Sequence, residues 1–473
     1  MKEKIEADIR SNMDTFNRIL NINENFDIIY RVIEIGGRNA CLYVIDGLNK
    51  DEILEKLLEF FYDIDPENMP QNAHDFSKLL LPYGEVDLPD DTEEIITMLL
   101  SGVPILFVDG YDKVLAIDFR TYPARSVEEP EKDKVLRGSK DGFVETIVFN
   151  TALIRRRIRH PDLIMEITSL GESSHTDIVL SYMKHRVDEK FLKKVKEKLA
   201  NIHIDALTMN TESLAEALFR KNWLNPFPKF KYTERPDTAA ASILEGSIVI
   251  LIDNSPSAII LPTTLFEITE EANDYYFPPL TGTYLRLSRM LINLIALILT
   301  PLWLLFMYHH EWIPEGLSFI RITEPIHVPL LLQLLILEFA IDGLRLASMN
   351  TPSMLSTPLS VVAGIVLGDY TVSSGWFNSQ TMLYMAFVAI ANYSQASYEL
   401  SYALKFLRIL TLILTGIFDV WGFGIGILIT ILALVTNRTL SGQSYLYPLI
   451  PFRGRELLRR FLRITLPESA KKK

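Results

Sequence analysis

The sequence predicts an α/β N-terminal half in two subdomains, then an all-α domain of several membrane spans and a basic amphipathic tail. Three observations carry this. Short apolar runs alternate with turn residues and helical stretches as far as residue 285. Beyond it, apolar runs of about 20 residues recur, long enough to cross a bilayer. Charge divides the same way. Residues 286–473 hold 15 of the chain's 47 Lys and Arg and 10 of its 59 Asp and Glu, leaving 32 against 49 before them. An acidic half joined to a slightly basic, apolar half excludes a nucleic-acid binder, which needs a clustered basic face.

The elements follow in order. "FDIIYRVIEIGGRNACLYVIDGLNKDEILEKLLEFFYDI" reads as a hairpin turning at Gly36-Gly37, followed by a helix. "DTEEIITMLLSGVPILFVDGYDKVLAIDF" gives a helix capped by Asp91, then two strands around Asp109-Gly110. This first subdomain spans 1–123, and the charged run through 124–140 is its linker. The second, 141–285, runs from a helix at "GFVETIVFNTALIRRRIR" to two apolar runs around Asn254-Ser255-Pro256. A mixed sheet and no internal repeat are expected. The single Cys41 sits in an apolar strand and reads as core; one thiol makes no internal disulfide, and no Cys/His spacing points to zinc. The charged N-terminus lacks an apolar signal segment, so this half is expected in the cytoplasm.

The membrane domain is expected over 286–440. Candidate spans are 289–308, 328–347, 354–372, 380–396 and 404–436, the last read as two short segments turning at Asp419-Val420-Trp421-Gly422. Arg286, Arg289, Arg345, Lys405 and Arg408 lie at the ends expected inside, so both termini fall on that side and six crossings are expected. In the tail, 441–473, Leu457, Leu458, Phe461 and Leu462 share a helical face opposite Arg455, Arg459 and Arg463. That is the pattern of a helix lying on the inner membrane surface.

The chemistry is sought among charges at membrane depth. Glu338 lies within "LLLQLLILEFAIDGLRLA", where an ionised carboxylate costs about 3 kcal/mol on insertion scales. A water-filled cavity, a cationic partner or protonation would each make it tolerable. Asp342, one helical turn on, and Arg345 read either as a paired, wet helix end or as part of the same polar path. Asp369 is expected at an outer mouth. Glu399, with Asn392, Ser394, Gln395, Ser397 and Ser401, forms an interfacial loop or a polar vestibule. In the soluble half, Arg155, Arg156, Arg157 and Arg159 could bind phosphate or grip an acidic neighbouring subunit. No Walker loop, metalloprotease helix or nucleophile elbow is present, so neither an enzyme nor a cofactor is expected.

"DGFVETIVFNTALIRRRIR", "YTERPDTAAASILEGSIVILIDNSPSAIILPTT" and "SYELSYALKFLRI" resemble the A subunits of GerA-type spore germinant receptors. Where those carry a proline-rich segment after the acidic second span, this chain reads "RLASMNTPSMLSTPLSVVAGIVLGDYTVSSGW", which resembles a paralogous branch. The resemblance implies a germination protein of the inner spore membrane, assembled as a ring, a pentamer in the family's pattern, around a cation channel. Glu338 would then contribute to a circle of carboxylates. A non-conducting scaffold for other germination proteins is the alternative, and a transporter ranks third for want of inverted repeats.

Overall fold

The computed structural model describes residues 4–122, 138–219, 225–350, 364 and 370–463. It divides into two compact units: 1–220 with 230–262, and 221–229 with 263–473.

In the first unit, α1 (Ile9–Ile19) precedes the hairpin β1 (Ile28–Ile35) and β2 (Arg38–Ile45), which turns at Gly36 and Gly37, both at positive φ. Then come α2 (Asp51–Tyr62), α3 (Ala73–Leu79), the short β3 (Val86–Asp87), α4 (Thr92–Leu100) and the hairpin β4 (Ile105–Val108) and β5 (Leu115–Ile117). The sheet order is β1-β2-β4-β5-β3. Its side chains alternate between two cores. Cys41, Tyr43 and Phe107 meet Phe16 of α1 and Leu99 of α4, while Leu42 and Leu106 meet Phe61 of α2 and Phe76 of α3. Burial pushes the Cys41 thiol up to about 12, so it is inert as well as enclosed.

The same order recurs in the second half of this unit: α5 (Ile147–Arg157), β6 (Leu163–Leu170), β7 (Thr176–Met183), α6 (Glu189–Ala200), α7 (Thr211–Leu218), β8 (Lys231–Thr233), α8 (Pro236–Glu245), β9 (Ile248–Ile252) and β10 (Ala258–Leu261), in the sheet order β6-β7-β9-β10-β8. The unit is therefore a structural duplication, contrary to the reading of no repeat. Small polar clasps recur too. Asn12 exchanges hydrogen bonds with the backbone of Glu6 (2.6 and 2.9 Å), as Asn150 does with that of Val144 (2.6 and 2.8 Å). Asp109 accepts from the Ile9 amide at 3.2 Å, as Asp253 does from that of Ile147 at 3.1 Å.

Every strand pairing among the described residues is antiparallel, which corrects the expected mixed sheet. The physical reason is in the connection. The segment carrying α2, α3 and α4 leaves β2 and returns to β4 at the same end of the sheet, whereas parallel strands require a crossover to the far end.

The second unit starts before residue 286, the expected boundary. α9 (Leu265–Thr269) and α10 (Asn273–Tyr276) lead into α11 (Pro279–Tyr308), followed by α12 (Leu330–Asn350), α13 (Ser379–Tyr393), α14 (Tyr398–Val435) and α15 (Gly454–Phe461). The tail is not detached: Tyr445 is fully buried against Phe227. Among the described residues, α11 and α14 are long and apolar enough to cross a membrane. The expected span 354–372 lies largely outside the described residues. α14 doubles back at Asp419 (φ 54°, ψ −130°), so the run read as two segments is a hairpin of two helical arms. Glycine permits the closeness: a Cβ on Gly422 would fall 1.8 Å from the Leu414 carbonyl oxygen, and one on Gly426 would fall 2.6 Å from Thr411 Oγ1.

Candidate functional site

The site is a group of four charges between α12 and the first arm of α14. Helical spacing places Glu338 and Asp342 one turn apart on α12, and Lys405 and Arg408 three residues apart on α14. The two rows face each other. Arg408 donates from Nε to Glu338 Oε1 at 2.6 Å and from Nη2 to Oε2 at 2.9 Å, a bidentate fork. Its remaining Nη1 donates to the Ala296 carbonyl of α11 at 2.6 Å, with Asn392 Oδ1 of α13 at 3.5 Å. One guanidinium thus ties four helices together. Lys405 donates to the Glu338 carbonyl at 3.0 Å, lies 3.6 Å from Glu338 Oε2, and pairs with Asp342.

Burial grades along the group. Arg408, Glu338 and Lys405 are buried, whereas the Asp342 side chain is 32% exposed. Two acids and two bases cancel, so the assembly is neutral as a whole. Neutrality and hydrogen bonds are what make burial of such groups tolerable.

Several expectations are corrected here. Glu338 is not bared to water: of the alternatives left open, the cationic partner is what the structure supplies. Asp342 pairs with Lys405 rather than with Arg345. Arg345 instead lies among Tyr393, Tyr398 and Tyr402, with ring centroids 4.7–5.7 Å from its guanidinium carbon. Glu399 is apart from the group; it accepts from Ser397 Oγ at 2.7 Å in the exposed first turn of α14. Asp369 lies outside the described residues. Lys405 and Arg408 were read only as markers of an inner helix end; the signal overlooked was a basic pair at helical spacing matching an acidic pair at helical spacing.

Of the arginine cluster at the end of α5, Arg155 is turned inward. Arg155 is fully buried and donates to Asp27 at 2.7 and 2.9 Å, to Asn25 at 3.3 Å and to the Leu163 carbonyl at 3.3 Å. It therefore fastens the first repeat to the second and is unavailable to a neighbouring subunit. Arg156 stacks over Tyr122 at 4.3 Å, and Arg157 pairs with Asp141 at 2.8 Å. Arg159 is exposed and donates to the Arg156 carbonyl at 3.2 Å.

Two further clusters flank α11. Before it, Arg289 donates to both Asp274 oxygens at 3.1 Å and to Glu271 at 2.9 Å, and Arg286 lies over the Tyr275 ring. After it, His309 Nε2 lies 2.7 Å from Asp419 Oδ2 and its Nδ1 lies 3.2 Å from Glu311, with the imidazole stacked on Trp312. The hydrogen bond to Asp419 is the largest influence raising the His309 pKa above its ordinary value.

The family model described as Bacillus/Clostridium GerA spore germination protein matches residues 15–473. Stage V sporulation protein AF of Bacillus subtilis (strain 168) is 34% identical over 467 residues, 98% of this chain and 94% of that one. An uncharacterized membrane protein, YfkQ, of the same organism is 29% identical, covering 92% of this chain and 85% of its own. Among solved structures, the N-terminal domain of the A subunit of the Bacillus megaterium spore germinant receptor GerK3 aligns at 25% identity and TM-score 0.42, over 55% of this chain and 97% of that one.

Proposed function

The chain belongs to the GerA family of Bacillus/Clostridium spore germination proteins, and from that premise we propose that it is a ring-forming subunit of an ion channel in the inner spore membrane, releasing cations during germination. Both termini lie on the core side in this reading, the helical unit crosses the membrane about six times, and the duplicated unit forms the ring at the inner face.

The four-charge group carries the proposal. An apolar set of the same shape is often as stable as a buried ion pair or more so, so charges kept between apolar helices point to a switch. In the conformation described here Glu338 is latched by Arg408. Opening exchanges that partner for a wet path between subunits, where one carboxylate per subunit favours cations. The half-exposed Asp342 is the outer end of the latch.

A specific observation favours a second reading, a non-conducting scaffold that docks other germination proteins. Glu338, Asp342, Lys405 and Arg408 already neutralise one another within one chain, so they require no water-filled axis. Two measurements separate the readings: the mass of the detergent-solubilised particle, and cation efflux from vesicles containing the purified full chain. A ring that releases cations above the level of empty vesicles supports the channel. A particle of any size that releases none supports the scaffold.

A further inference from the structure

The C-terminal helix α15 presents a mixed apolar and cationic flank left uncovered among the described residues. Its inner side is fully engaged. Arg460 donates to Glu267 at 2.6 Å and to Glu270 at 3.3 Å, and Phe461 meets Phe266 edge to face with centroids 6.1 Å apart. Just beyond the helix, the Arg463 amide donates to Thr283 Oγ1 of α11 at 3.1 Å. Arg286 of α11 donates to the Arg459 carbonyl at 3.3 Å. These contacts pin α15 to the N-terminal foot of the first long apolar helix.

The other flank is open. Phe452, Leu458 and Leu462 are 73%, 56% and 40% exposed and lie beside exposed Arg455 and Arg459. Among the described residues, neither of those two guanidiniums pairs with a carboxylate. Left in water, such an apolar patch would be a liability. The level at which it sits resolves this. The exposed stripe of α11 begins at Leu280 and Tyr284, in the turn of α11 that α15 touches, and continues through Leu287, Leu291 and Leu294. An aromatic side chain at the start of a lipid-facing stripe is the mark of the headgroup layer.

We propose that α15 is a recognition surface for anionic phospholipid: Arg455 and Arg459 hold the headgroup phosphates, while Phe452, Leu458 and Leu462 enter the acyl boundary. The inference rests on α11 crossing the membrane. It goes further by naming the lipid class and the residues that select it. Apolar insertion and basic charge together supply the two signals that stable surface attachment requires. Because the Arg459 carbonyl accepts from Arg286 and the Arg463 amide donates to Thr283, the lipid surface is linked mechanically to the foot of α11.

The test uses the full chain purified in neutral detergent, titrated with phosphatidylglycerol or phosphatidylcholine and read by native mass spectrometry. Phosphatidylglycerol is expected to be retained preferentially. The paired substitution Arg455→Gln with Arg459→Gln is expected to weaken that retention roughly thirtyfold, from about fivefold per arginine at an anionic surface, and to leave phosphatidylcholine unchanged. The paired substitution Leu458→Ser with Leu462→Ser is expected to weaken retention of both lipids. Equal retention of the two lipids by the parent, unchanged retention by the arginine variant, or displacement of the lipid by millimolar inorganic phosphate would each overturn the inference. A chain extracted from vesicles by alkaline carbonate would overturn the membrane-spanning reading instead. A chain that stays embedded without preferring the anionic lipid would sink this inference alone.

Discussion

Replacing Glu338 by Gln gives the strongest single perturbation of the helical unit. The amide retains one acceptor for Arg408 but turns its NH2 group toward a guanidinium nitrogen, so one of the two bonds at 2.6 and 2.9 Å is lost. The remaining partners of Arg408, the Ala296 carbonyl and Asn392, are neutral. The guanidinium is thus left fully buried without a counter-charge, which costs about 3–5 kcal/mol. Asp342 does not rescue it, being paired with Lys405. Removing both charges, Glu338→Leu with Arg408→Met, eliminates the stranded ion and should restore stability or exceed the parent's by about 1–4 kcal/mol. Detergent-denaturation midpoints of the parent, the single variants Glu338→Gln, Glu338→Leu and Arg408→Met, and the apolar pair give the coupling directly. Single variants as stable as the parent, or a pair whose loss equals the sum of its singles, would refute the latch.

Arg155→Met strands the buried carboxylate of Asp27 and should cost about 3–5 kcal/mol. Arg159→Ala, at an exposed site, should stay within about 0.5 kcal/mol; chemical denaturation followed by hydrogen exchange at Phe26 and Met165 distinguishes them. Gly422→Ala should prevent closure of the α14 hairpin and abolish folded protein, whereas Gly424→Ala, where a Cβ meets nothing within 4 Å, should express normally. His309 has a raised pKa in the folded chain, so its charged contact with Asp419 is complete below its unfolded pKa and is lost as pH rises through the folded one. Imidazole titration by NMR should show that pKa fall toward the ordinary value in Asp419→Asn.

Much of the fold could be read from local chemistry. Gly36-Gly37 announces a hairpin because both residues need positive φ, and the break at Asp419 shows in a polar residue followed by Gly422, Gly424 and Gly426 inside an apolar run. The duplication could not be seen. It survives in backbone geometry and a few clasp residues, Asn12 with Asn150 and Asp109 with Asp253, while the packed side chains have diverged. Sheet direction was misread because alternating helices and strands fit both crossover and returning connections. For the site, the cost of Glu338 was legible from its apolar surroundings, but its partner lies 70 residues away and only tertiary packing brings it near. Arg155 misled for the opposite reason. A run of arginines looks like surface, yet α5 is buried on nearly every side, and its apolar neighbours Ala152, Leu153 and Ile154 were the available clue.

Conductance of planar bilayers containing the Glu338→Leu, Arg408→Met double variant tests the latch most directly. The account predicts a folded, oligomeric protein that passes no cation current where the parent does, because leucine cannot line a wet path. Current equal to the parent's from that variant would contradict it.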